Sequence, residues 1–138
     1  MIEFGGGDGS DNLAGGAGKD ILNGAAGRDA FVFLRVSDSG VDLRGADIVQ
    51  DFVLGGDKID LRAIDAFAPT VSNDAFIWNV GTAFTSTTRG EVRFKQFNNS
   101  GTSNDYTLIY VDNDRDVAAE MVIRLNGLHN LTASDFVL

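Results

Sequence analysis

Apolar and polar residues follow two different rules along this chain. In the second half they come in short runs. Glu91 to Phe97 (EVRFKQF) alternates polar and apolar, the pattern of a half-buried strand. Asp105 to Val111 contains the continuous apolar run of a central strand. The same logic predicts strands at Ala30 to Leu34, Ile48 to Val53, Asp74 to Val80, Ala119 to Leu125 and Ser134 to Leu138. Turn residues punctuate at Gly55-Gly56, Asn98 to Asn104 and Asn113 to Asp116. Residues 59 to 67 are expected to form a short turn of helix, and Pro69 is the only proline.

In the first half, single large apolar residues recur every nine positions instead. Gly6 to Val32 reads GGDGSDNLA, GGAGKDILN, GAAGRDAFV. The unit is G-G-x-G-x-D-x-U-x, with U large and apolar. Unit one holds Gly6, Gly7, Gly9, Asp11 and Leu13; unit two holds Gly15, Gly16, Gly18, Asp20 and Leu22. Unit three keeps Gly24, Gly27, Asp29 and Phe31 but has Ala25 for the second glycine. Steps of nine then reach Asp38 and Asp47, the latter with Gly45 two residues before it and Val49 two after. A further step lands on Gly56, where the series ends. Upstream, Phe4 falls on a U position, so the array is expected to begin before this chain does.

Glycines at these offsets open backbone angles closed to other residues, and a tight turn built this way points carbonyl oxygens inward. The aspartate adds a carboxylate to the same concavity. Calcium takes six to eight such oxygens in loose geometry. One turn supplies too few of them; two stacked turns supply enough. Two units make one coil of a flattened helix, so alternate turns stack on the same edge. The frame therefore expects Asp11, Asp29 and Asp47 on one edge and Asp20 and Asp38 on the other. Leu13, Leu22, Phe31 and Val49 should fill the interior. Gly40 leaves a U position empty, so the coil is expected to begin closing there. Three same-edge pairs of turns give about three calcium ions.

Composition supports a cation-binding domain. Among the 138 residues are 17 Asp but only 3 Glu, and the net charge is −9. That balance argues against nucleic acid and anionic membrane surfaces as partners. There is no Cys, hence neither a disulfide framework nor a thiolate metal site. No signal-peptide pattern and no bilayer-length apolar stretch occurs, so no membrane insertion is expected.

These residues resemble the C-terminal domain of RTX exoproteins, especially the serralysin-type metalloproteases. GGAGKDILNGAAGRDAFVF looks like their last repeats, GADIVQDFVLGGDKIDL like the segment that follows, and LNGLHNLTASDFVL like their terminus. The resemblance implies an all-β fold, a short parallel β-roll of nonapeptide calcium repeats capped by antiparallel β-strands. A single domain spans 1–138, with the roll at 6–50 and the cap at 51–138. Repeat glycine carbonyls and aspartates would ligate calcium, here Gly6, Gly7, Gly9, Asp11, Gly15, Gly16, Gly18, Asp20, Gly24, Ala25, Gly27 and Asp29. Asp38 and Asp47 occupy the places of two further ligands. Asp135, Phe136, Val137 and Leu138 would belong to an uncleaved signal read by a type I exporter. The implied protein is secreted by a Gram-negative bacterium, monomeric, folded by calcium after export and joined to an upstream cargo domain. Departures from the family are Ala25 and a short array.

Other constellations carry less. A Gly-rich linker would not hold Asp and a large apolar residue in frame. LAGGAGKD fails as a phosphate loop because Leu13 replaces the first glycine and Asp20 the Ser/Thr. VDNDRDVAAEM offers Asp112, Asp114, Asp116 and Glu120. It fails as an EF-hand because Val117 and Ile123 stand at the glycine and closing-glutamate positions, and a charged turn is expected there. Asp51, Asp57 and Asp60 are expected to form turns and caps. His129 has no catalytic partner pattern, and no H-E-x-x-H occurs, so no enzyme activity is expected. A second class of function is a polysaccharide-binding accessory module, such as those of alginate epimerases, using Arg89, Arg93, Lys95, Phe94 and Phe97.

Overall fold

The computed structural model describes residues 1–67, 74–81, 83–85, 89–101 and 104–138; Pro69 lies outside them. The chain is all-β, and among the described residues there are two short 3-10 turns, Val36–Asp38 and Ala133–Asp135. Among the described residues no helix is long and apolar enough to cross a membrane.

Two sheets face each other. Sheet A runs β1 (Glu3–Asp8), β3 (Ile21–Ala26), β5 (Asp47–Val49), β10 (Met121–Asn126), β9 (Tyr106–Asp112), β8 (Glu91–Phe97) and β7 (Ile77–Trp78). Sheet B runs β11 (Phe136–Val137), β6 (Lys58–Asp60), β4 (Ala30–Val32) and β2 (Asn12–Leu13). The first three strands of sheet A and all of sheet B pair in parallel, as successive coils of a roll. β8, β9 and β10 pair antiparallel and extend sheet A as the cap.

The U residues set the register. In sheet A, Phe4, Leu22, Val49 and Leu125 lie opposite one another in succession. In sheet B the corresponding file is Leu13, Phe31, Ile59 and Phe136. All but Phe4 are buried, and Phe4 packs on the same core. The roll and cap interleave in sequence: β10 takes the place of the next coil beside β5, and β11 takes it beside β6.

Several expectations change. Residues 58–60 form strand β6 rather than the start of a helical turn, because Ile59 continues the file above Phe31. The expected strand at 74–80 contracts to Ile77–Trp78, and that at 134–138 to Phe136–Val137 after a 3-10 turn. The chain does not close at Gly40. It doubles back, with the Gly40 N–H donating to the Gly45 carbonyl at 2.9 Å, and re-enters sheet A at β5. This excursion lengthens the coil: β1 to β3 advances 18 residues (Phe4 to Leu22), but β3 to β5 advances 27 (Leu22 to Val49).

Ser39 clamps the excursion at the junction. Its Oγ donates to the Val122 carbonyl at 2.5 Å and accepts from the Asp47 N–H at 2.8 Å. One hydroxyl therefore joins the inserted segment, the roll and the cap.

Candidate metal centre

Each repeat turn ends at an aspartate whose two carboxylate oxygens have different fates. Except on Asp11, one accepts a backbone N–H from the neighbouring coil. Asp29 Oδ1 accepts from Asp11 N–H at 2.9 Å, Asp47 Oδ1 from Asp20 N–H at 2.8 Å, and Asp57 Oδ1 from Asp29 N–H at 3.0 Å. The other oxygen, Oδ2 of Asp11, Asp20, Asp29 and Asp47, is buried with no hydrogen-bond partner. Buried carboxylate oxygens without partners cost free energy and are expected to be paired or to hold metal.

The glycines explain why the carboxylates fit. A Cβ on Gly6 would lie 2.8 Å from Asp11 Oδ2, and one on Gly15 equally close to Asp20 Oδ2; at Gly24 it would collide with Asp29. The first glycine of each unit therefore vacates the space that the carboxylate occupies. Gly7, Gly9, Gly16, Gly18 and Gly27 all take positive φ, as a tight turn requires. Ala25 takes φ 66 at the same place, so the turn survives its substitution under strain.

The ladder's membership differs from the nine-residue frame. Asp47 stacks on Asp20, not on Asp29, because the inserted unit shifts the chain to the other edge. Asp38 is not in the stack. It sits in a 3-10 turn, and its Oδ2 accepts the N–H groups of Leu34 and Arg35. Its Oδ1, 3.6 Å from Arg35 Nε, is buried with no hydrogen-bond partner, as on the repeat aspartates, so Asp38 keeps a free oxygen beside the ladder. The edges are therefore Asp11, Asp29, Asp57 on one side and Asp20, Asp47 on the other. Asp57 also accepts the Val53 N–H, and Asp51 accepts the N–H groups of Gly24 and Ala25. Asp51 and Asp57 thus cap turns as expected, but across coils as well as within them. Asp60 behaves locally, bonding the Arg62 N–H and pairing with its guanidinium.

A signal for Asp57 was present. Gly55-x-Asp57-x-Ile59 repeats G-x-D-x-U one residue out of frame, and Gly55 has φ 76. Asp38 lacks it, having Val36 where the glycine belongs.

Burial pushes the Asp47 carboxyl up to about 7, and the charges of Asp20 and Asp38 add to the rise. Hydrogen bonding from the Asp20 amide and the charge of Lys19 oppose it. A cation at this place would reverse the balance by favouring the ionised form.

The sequence matches the family described as Peptidase M10 serralysin C terminal over residues 7–138. The chain belongs to the serralysin C-terminal family. No curated protein matches it. The solution structure of the AlgE6R3 subunit from the Azotobacter vinelandii mannuronan C5-epimerase is similar at 23% identity and a TM-score of 0.47, covering 99% of this chain and 77% of that one.

In this serralysin C-terminal chain the remaining candidates fall elsewhere. His129 packs edge-on against Phe52, with centroids 5.6 Å apart, and its Nε2 meets the Asn126 carbonyl at 2.8 Å, a packing role. Phe136 is buried in the core, and Asp135 caps the Thr132 N–H. Phe94 stacks on Trp78 and is packed against the core, so it leaves the proposed sugar face. Asp112, Asp114 and Glu120 gather at the β9–β10 turn. Burial raises the Asp112 carboxyl and pushes that of Glu120 up to about 7, with the hydrogen bond to Asp112 adding to the latter.

Proposed function

We propose that this domain binds calcium in the turns of its roll, and that binding drives its folding. The observation that carries this is the row of buried, partnerless Oδ2 atoms on Asp11, Asp20, Asp29 and Asp47, each repeat one lying over a glycine with no room for a side chain. The stacked pairs Asp11/Asp29, Asp29/Asp57 and Asp20/Asp47 keep the number of ions near three, with different members from those the frame implied. Carbonyls of Gly6, Gly7, Gly9, Gly15, Gly16, Gly18, Gly24, Ala25 and Gly27 would complete the oxygen shells, and the ions would neutralise the carboxylates.

Without calcium, burying these charges unpaired is unfavourable by several kcal/mol, and the glycines lose much chain entropy. The ion-free chain stays largely unfolded at low calcium, as passage through a type I exporter requires. Millimolar calcium outside the cell then converts binding energy into folding energy. The domain has no catalytic role; it carries the export signal for, and supports, an upstream cargo domain. Circular dichroism during a calcium titration tests this: β signal should appear at millimolar calcium, and its absence would sink the proposal.

A specific feature supports a second reading. On the outer face of the cap, Arg93 lies over the rings of Tyr110 (4.2 Å) and Phe84 (4.9 Å), Arg124 over Tyr106 (4.7 Å) and Lys95 over Phe97 (5.1 Å). Cations held over aromatics suit the carboxylates and ring faces of an acidic polysaccharide such as alginate. Calorimetry at moderate salt decides it: binding lost in R93A/R124A supports a sugar face, and no heat from the parent removes it.

A further inference from the structure

The acidic turn between β9 and β10 carries an unresolved electrostatic problem separate from the roll. The antiparallel register places Met121 opposite Val111, so the next pair outward is Asp112 and Glu120. On the other side Asp112 faces Glu91. Three carboxylates thus share one rung, and like charges directly opposite are destabilising. Glu91 is accounted for, since Thr85 donates to it from both N–H (2.8 Å) and Oγ1 (2.9 Å). Asp112 and Glu120 are not paired with any cation among the described residues.

Asp112 is fully buried, and its Oδ2 has no hydrogen-bond partner. Its Oδ1 is used by the Asp114 N–H at 3.1 Å. Glu120 Oε2 accepts the Asn113 N–H at 2.9 Å, and Asp114 Oδ1 the Asp116 N–H at 2.8 Å. Each carboxylate therefore spends one oxygen on its own turn, and Asp112 and Glu120 turn their others toward each other, where either a shared proton or a cation must relieve the contact. Asp112, Asp114 and Glu120 each offer an oxygen such that all three lie within 4.8 Å of one another.

We propose that Asp112, Asp114 and Glu120 form a calcium site in the cap, independent of the roll. Three carboxylates and no nitrogen or sulfur donor select a hard cation, and a half-exposed turn leaves places for water. The arrangement is not an EF-hand: Glu120 comes three residues before the position of that loop's closing glutamate. Glu120 also lines the groove between cap and inserted segment, with Val36, Ser37, Ser39, Val41 and Ala119. An ion here would fasten the turn where the two meet.

Equilibrium dialysis of the full chain with calcium chloride at millimolar levels counts the ions, with circular dichroism reporting the roll. E120Q and D114N should each bind one ion fewer than the parent, while the midpoint of the calcium-driven β signal moves less than about twofold, under half a kcal/mol. If E120Q does not fold, D114N, on the half-exposed residue, decides alone. An unchanged ion count in the folded variants overturns the site, because a shared proton then suffices to hold Asp112 and Glu120 together. Failure of the roll proposal looks different: the parent would bind a single ion, and E120Q would remove it.

Discussion

The N–H of Asp20 donates to Asp47 Oδ1 at 2.8 Å, across 27 residues of chain and wholly out of solvent. The contact fixes the coil spacing while leaving Asp47 Oδ2 unpartnered. D47N preserves the amide acceptor and removes the charge. The calcium midpoint for folding should rise by about tenfold, or 1.4 kcal/mol, while D47A should also lose the cross-coil bond and fold less well at every calcium level. Parallel calcium titrations by circular dichroism separate the two.

Asp47 titrates with a carboxyl raised from 3.8 to about 7. In the ion-free fold the protonated form is favoured, so its contribution is fully present below about 4 and lost as pH rises through about 7, at roughly 1.4 kcal/mol per unit. Calcium requires the ionised form, which an unfolded chain already carries above about 4, so calcium-driven folding at neutral pH should release almost no proton from Asp47. Calorimetry in buffers of different ionisation heat checks this: a heat independent of the buffer is expected, and a large proton release that shrinks in D47N would mean that the ion-free chain is already folded.

Phe31 is fully buried and lies between Leu13 and Ile59 in the file of sheet B. F31A should cost about 3–5 kcal/mol, read by urea unfolding in calcium. A loss under about 1 kcal/mol would mean that the file is not the core of the roll.

Gly27 and Ala25 should respond in opposite directions. A Cβ on Gly27 would collide with the Gly9 carbonyl of the coil beneath, so G27A should prevent stacking. Ala25 already holds φ 66, and A25G should stabilise the folded form by about 0.5–1 kcal/mol. Thermal melts in calcium compare both with the parent.

Phe136 touches the single tryptophan, with 5.0 Å between its ring and that of Trp78. F136A should remove about 3–4 kcal/mol and shift Trp78 emission to the red. An unmoved spectrum would place β11 outside the folded core.

The repeat signal made the roll legible. Leu13, Leu22, Phe31 and Val49 are all inside, and the glycines lie where the turns need them. Edge assignment was not legible, because counting by nine assumes that each unit is a half-coil. The segment around Asp38 keeps the count but makes a 3-10 turn and a doubling back at Gly40 and Gly45. Asp57 lies one residue out of the frame, in an intact unit. Requiring glycine two before the aspartate and a large apolar residue two after finds the cross-coil contact of Asp57 but not the unpartnered oxygen of Asp38. The pairing of β10 with β5 and of β11 with β6 had no local signature, since it depends on which distant strand can cover an exposed coil.

Sheet B also fixes an order of events. Its rungs at 12–13, 30–32 and 58–60 follow one another along the chain, but Phe136 lies 77 residues beyond the Ile59 it covers. Closing so long a loop adds little free energy relative to a shorter one, yet distant pairings are slow to find. The early coils can therefore assemble while their last apolar surface is still open. Without β11 the apolar face of Ile59 would end sheet B uncovered, so removing the last three residues should leave a sticky, protease-accessible edge on an otherwise complete roll.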